Sequence, residues 1–136
     1  MLEIAQDKLR SKQIKITRVR TNILAAFLSS DYALSYTDLQ AILPDKEDKV
    51  TVYRTLKKFK EEGIIHEIED ENANKFAVCT HSCSKEEHYD SHAHFKCNSC
   101  TRIYCLETPD VNLSLPMGYQ MQQYNLSIKG ICMQCA

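Results

Sequence analysis

Two short cysteine pairs carry the most specific chemistry in this chain: Cys97-Asn-Ser-Cys100 and Cys132-Met-Gln-Cys135, separated by 31 residues. Two such knuckles can set four thiolates at the corners of a tetrahedron around one Zn2+. The gap is longer than the roughly 15–20 residues of common zinc ribbons. Competing uses of paired cysteines meet specific obstacles. A two-Cys two-His finger needs histidines downstream, yet the last one is His94. Haem attachment needs a His directly after the second Cys, where Thr101 and Ala136 stand. A zinc deaminase needs His-x-Glu and Pro-Cys-x-x-Cys, but the chain reads His92-Ala93-His94, with Lys96 before Cys97. A thioredoxin-type redox pair stays open. The expectation is one structural Zn2+ per chain, held by Cys97, Cys100, Cys132 and Cys135.

Seven cysteines is an odd count, and no secretory signal opens the chain. That predicts a cytoplasmic protein whose thiols hold metal rather than disulfides. His92 and His94 fall on a predicted strand, where side chains two apart share a face. They read either as a pair of metal ligands or as exposed surface. Cys105 is open between a ligand, a redox thiol and simple packing. His81, Cys83 and His88 read as a labile metal site or as surface. No His-Glu-x-x-His or His-x-Glu motif is present, so no enzyme is expected; a zinc or thiol enzyme is the distant alternative.

The elements that must position these residues follow from charge and periodicity. The 136 residues suffice for one domain or two very small ones. No apolar run approaches the roughly 18 residues of a membrane span. Residues 1–60 carry 12 Lys and Arg against 7 Asp and Glu, whereas 61–72 carry six acids and no Lys or Arg. A basic first half suggests either a nucleic-acid-facing module or a merely solvated helix face. Residues 2–10 read as a short helix. Thr17 caps a second, with Val19, Ile23, Leu24, Phe27 and Leu28 at helical spacing. Ser35 caps a third, with Leu39, Ile42 and Leu43 on one side and Pro44 as its end. A fourth starts at Asp48 or Thr51, buries Val52, Leu56 and Phe59, and stops at Gly63. Residues 64–68 and 75–79 form a hairpin.

Helices followed by a hairpin is the layout of a winged helix-turn-helix, whose recognition helix enters the major groove. Positions 51, 54, 57 and 58 then point away from the core. Arg and hydroxyl groups suit base edges, and Lys suits phosphates. Residues 80–91 read as a hinge loop, 94–106 as strand, knuckle, strand, and 119–131 as a further strand. The fold class is therefore α+β: a winged-helix DNA-binding domain (1–79), a hinge (80–91) and a small zinc-stapled α/β domain (92–136). The last is too small to be held by apolar burial alone.

Val50-Thr51-Val52-Tyr53-Arg54-Thr55-Leu56, His92-Ala93-His94-Phe95-x-Cys97-x-x-Cys100 and Gly130-x-Cys132-x-x-Cys135 together resemble the ferric uptake regulator family. The resemblance implies a homodimeric repressor of double-stranded operator DNA, with a C-terminal dimerisation domain and a second metal site at the hinge. It implies that Tyr53 and Arg54 touch bases, that Lys15 reaches the minor groove and Arg20 a phosphate, and it sets Thr51 and Lys57 on the same surface. Iron and peroxide sensors of the family place ligands where this chain has Ala33, Ala77, Ala93, Cys105 and Tyr124. The zinc uptake regulator branch instead has a His at the start of the wing and a Cys at its end, as at His66 and Cys79. The implied regulatory set is His66, Cys79, His92 and His94. One thiolate and three imidazoles suit tetrahedral Zn2+ better than six-coordinate Fe2+, although an Fe2+- or peroxide-sensing member of the same family stays open as the alternative. Zinc there would join wing to dimerisation domain, hold two recognition helices at half-site spacing, and repress metal-uptake genes.

Overall fold

Residue spacing in the first 60 positions builds helices around one apolar cluster. A computed structural model of the chain describes residues 1–78, 93–106, 113–122 and 126–136. Two compact units make it up, Met1–His88 and Tyr89–Ala136.

In the first unit, α1 (Leu2–Ser11), α2 (Arg18–Leu28), α3 (Tyr36–Ile42) and α4 (Lys49–Glu61) precede a small sheet. The sheet joins β1 (Leu34–Ser35), β2 (Ile65–Ile68) and β3 (Lys75–Val78) in the order β1-β3-β2, all antiparallel. Leu9, Ile23, Leu24, Leu39, Leu56 and Phe59 anchor the core. The predicted caps are present. The Thr17 side chain accepts from the Arg20 N–H. Ser35 and Asp38 form a reciprocal capping box. Helix α3 stops two residues before Pro44, because the residue preceding a proline is pushed to extended backbone, as Leu43 is at ψ 137°. Helix α4 ends in a Schellman motif: the Ile64 N–H donates to the Phe59 carbonyl at 2.9 Å and that of Gly63 to Lys60 at 3.2 Å. Gly63 sits at φ 74°, which only glycine adopts without strain. Strand β1 was not expected from the sequence. Its two residues pair with Phe76 and Lys75, and tertiary pairing rather than local pattern makes it a strand.

In the second unit, β4 (Ala93–Cys97) is central. It pairs antiparallel with β5 (Ile103–Leu106) and parallel with β6 (Ser127–Gly130). Of the strand expected over 119–131, residues 119–122 are not strand, 123–125 lie outside the described residues, and Ser127–Gly130 pairs with β4. The pairing is extended at both ends by single backbone bonds, His94 N–H to the Leu126 carbonyl at 3.0 Å and Asn98 N–H to that of Gly130 at 2.7 Å. The expected hinge at 80–91 lies outside the described residues. Among those described, no helix is long and apolar enough to cross a membrane.

Candidate metal centres and nucleic-acid interface

The turn after β4 presents Cys97 and Cys100, and the turn after β6 presents Cys132 and Cys135. The parallel β4–β6 pairing brings these two turns together: Cys97 lies opposite Gly130, and the Asn98 N–H donates to the Gly130 carbonyl at 2.7 Å. The crossing is close: a Cβ at position 130 would meet the edge of the Phe95 ring at 3.2 Å, so the ring would have to give by a few tenths of an ångström. All four sulfurs lie within 4.8 Å of one another, and those of Cys100 and Cys132 are 3.8 Å apart. Tetrahedral coordination with Zn–S near 2.3 Å puts sulfurs about 3.8 Å apart. The donor set therefore fits a tetrahedral thiophilic cation.

Backbone N–H groups of Ser99, Cys100 and Cys132 converge on the Cys97 sulfur at 3.3–3.5 Å. Donation from Cys100, then from Cys132, lowers its thiol to about 6. Burial pushes the Cys132 thiol up, but donation from the Cys135 backbone and thiol outweighs burial and leaves it lowered. The Cys135 thiol is raised to about 11, chiefly by the hydrogen bond it gives Cys132. Clustered thiols resist successive ionisation, so the backbone makes one thiolate easy and a cation must favour the rest. None of the five described cysteines is in a disulfide.

A second donor pair lies on the same sheet. His94 on β4 faces Cys105 on β5 in the antiparallel register, and their ligand atoms are within 4.8 Å. Directly opposed side chains share a face and sit close enough to bind together. Sequence reading left Cys105 open; strand register is the signal that joins it to His94. His66 sits on β2 and is only 4% exposed, on the strand face opposite Ile65. Cys79 and His92, like His81, Cys83 and His88, lie outside the described residues.

On α4, Val52, Thr55, Leu56 and Phe59 face the core. Tyr53, Arg54 and Lys57 are exposed on the opposite side, and Thr51 is half-buried, with its hydroxyl at 3.5 Å from the Asp48 carboxylate. Lys58, expected to point outward, is half-buried and paired with Glu62 at 3.5 Å. Lys15 is exposed. The Arg20 guanidinium donates to the Lys15 carbonyl at 2.8 Å, so Arg20 holds the segment that presents Lys15. Two residues that the sequence did not single out stand beside Tyr53. The Tyr36 ring stacks on it, and the Lys49 ammonium lies over both rings.

Residues 11–135 match the ferric uptake regulator family. The chain belongs to this family. It is a metal-dependent DNA-binding transcriptional repressor of the ferric uptake regulator type. Among its relatives, the zinc uptake regulation protein of Escherichia coli is 27% identical over 99% of this chain and 81% of that protein. The ferric uptake regulation protein of Staphylococcus aureus is 28% identical over 93% of this chain and 92% of that protein. A solved zinc uptake regulator complexed with zinc and DNA shares the fold, with TM-score 0.67 and 22% identity over 98% of this chain and 91% of that one. Within the family frame the first unit holds the winged helix, in which α4 is proposed below as the recognition helix and β2–β3 as the wing.

Proposed function

We propose that this regulator senses zinc and represses metal-uptake genes as a cytoplasmic homodimer on double-stranded operator DNA. Its relatives with known names include a zinc and an iron regulator of nearly equal identity, so overall similarity does not choose the metal. Ligand chemistry favours zinc. The observation that carries the reading is the His94–Cys105 pair, an imidazole and a thiol facing each other across β4 and β5. Nitrogen and sulfur donors select zinc over Fe2+, which favours carboxylate-rich six-coordination. His66, Cys79 and His92 complete the proposed regulatory set with His94, and Cys105 adds a second thiolate within reach.

The two metals have separate tasks in this proposal. A structural Zn2+ in Cys97, Cys100, Cys132 and Cys135 staples the dimerisation domain (92–136). The regulatory metal draws ligands from the DNA-binding domain (1–79) and from the dimerisation domain, so binding it lowers the freedom of one against the other. When bound, it supplies a positive charge that favours thiolate over thiol and links ligands distant in sequence. Tyr53 and Arg54 read bases, with Thr51 beside them. Lys15, Arg20 and Lys57 hold the backbone. The sequence carries no His-x-Glu or His-Glu-x-x-His motif to set an acid–base group beside a metal, which favours a regulator over an enzyme.

The test is metal-dependent operator binding by wild type and His66→Ala. The variant should retain one Zn2+ per chain, a normal dimer and the same fold, yet lose zinc-stimulated DNA binding. Chelation should give wild type the same phenotype reversibly. Fe2+ should restore binding less well than Zn2+; equal rescue would make the protein an iron sensor of the same family.

A further inference from the structure

On the outward face of α4, Tyr53 belongs to an aromatic arrangement whose other members, Tyr36 and Lys49, the family reading does not use. Tyr36, the first residue of α3, stacks on Tyr53 of α4 with ring centroids 4.8 Å apart and planes 3° from parallel. That is an offset stack, the preferred face-to-face geometry of aromatic pairs. Lys49 Nζ lies 5.8 Å from each centroid, within cation–π reach of both. The two rings differ in exposure: Tyr53 is 48% exposed and Tyr36 is half-buried.

Tyr36 is itself held in place. Gln40 Nε2 donates to its hydroxyl at 2.8 Å and reaches the Glu47 carbonyl at 3.4 Å. The Glu47 carboxylate accepts from Arg18 of α2 at 2.7 Å, and Arg18 also binds Asp45 at 2.6 Å. An unbroken run of contacts thus leads from α2 through the α3–α4 connection to the Tyr53 ring. A lone tyrosine on an exposed helix face would sample several rotamers and lose that freedom on binding. Stacked on a braced neighbour, Tyr53 is ordered before any ligand arrives, which removes that cost from binding and restricts what the ring can touch.

We propose that Tyr36 is a specificity-determining positioning residue: it fixes the Tyr53 ring so that its exposed side reads the methyl group of one thymine in each half-site. The thymine methyl is the apolar feature of the major groove, and a pre-set ring rewards it where a mobile ring would not. This rests on the reading of α4 as the recognition helix.

The experiment uses the zinc-loaded full chain and a duplex that it selects from a random-sequence pool. Each thymine is replaced in turn by deoxyuridine, which deletes the methyl and leaves base pairing intact. Wild type should show one position per half-site where this weakens binding about twofold to tenfold. Tyr53→Ala should abolish that penalty. Tyr36→Leu, which keeps apolar volume without the stack, should reduce it to near unity while the salt dependence of binding stays unchanged. Tyr36→Phe, which keeps the ring, should retain it. The penalty is a ratio of two affinities of one protein, so a less stable variant still reports it. A full penalty in Tyr36→Leu that is lost in Tyr53→Ala overturns the role of Tyr36 and leaves α4 as the reader. A full penalty in Tyr53→Ala overturns the reading of α4 itself. Loss of the penalty in Tyr36→Phe, or a wild type indifferent to every methyl, also overturns the proposal.

Discussion

Arg54 and Lys57 lie one helical turn apart on the exposed face of α4, and their side-chain chemistry divides their tasks. A guanidinium presents a rigid fork that can bind both acceptors of a guanine edge, whereas an ammonium is a compact charge that satisfies any phosphate. Arg54→Ala should therefore weaken operator binding by about 1–3 kcal/mol and relax preference at one base pair. Lys57→Ala should weaken all sequences alike and make the salt dependence shallower by about one phosphate contact. Binding titrations across salt concentrations on operator and random duplexes separate the two. Arg54→Ala with wild-type affinity and preference would remove Arg54 from the base-reading set.

At the scale of elements, α4 and the wing hairpin are tied by one ion pair. Lys60, near the end of α4, donates to Glu67 on β2 at 2.6 Å, and Asn74 before β3 donates to the other carboxylate oxygen at 2.9 Å. These bonds, that of Lys60 first, hold the Glu67 carboxyl below the ordinary carboxylate range. A lowered folded-state value means the carboxylate form is favoured by folding. Its contribution is fully present above the unfolded value, about 4.3, and is lost as pH falls through the folded one. Glu67→Gln should thus destabilise the protein above pH ~5, by less than about 1 kcal/mol because the pair is partly solvated. The difference from wild type should shrink toward zero below pH ~4. Urea unfolding of both proteins at matched pH reads this directly. A difference that grows on acidification would assign the effect to something other than the Glu67 charge.

Across the whole molecule, apolar burial is unevenly shared. The core cluster lies entirely within residues 5–76. Among the described residues of the second unit, the buried apolar side chains are Ala93, Cys97, Ile103 and Cys132. Two of these four are metal-ligand candidates, so a three-stranded sheet is left with almost no core of its own. Small domains in that position rely on a metal, whose binding supplies on the order of 10 kcal/mol of folding free energy. Cys97→Ser should release one Zn2+ per chain, abolish the dimer and expose the amides of β4, β5 and β6 to exchange. The helical far-UV signal from residues 1–78 should largely remain. Unchanged melting with an intact dimer would show that the sheet does not need the metal.

The sequence by itself determined whatever depends on neighbours along the chain. Helix periodicity, the Thr17 and Ser35 caps and the Gly63 stop are local, because each satisfies backbone groups within four residues. The two Cys-x-x-Cys turns are local in the same sense, and their pairing was legible because few chemistries want four thiolates. Contacts between distant segments were not legible. Strand β1 exists only because Leu34 and Ser35 meet β3, and β6 is a strand where Ser127–Gly130 meets β4. Cys105 came to face His94 through strand register, and Tyr36 became a neighbour of Tyr53 because α3 and α4 both pack against α2. In each case the partner is chosen by hydrogen bonding or packing across space, and no residue spacing along the chain encodes that choice.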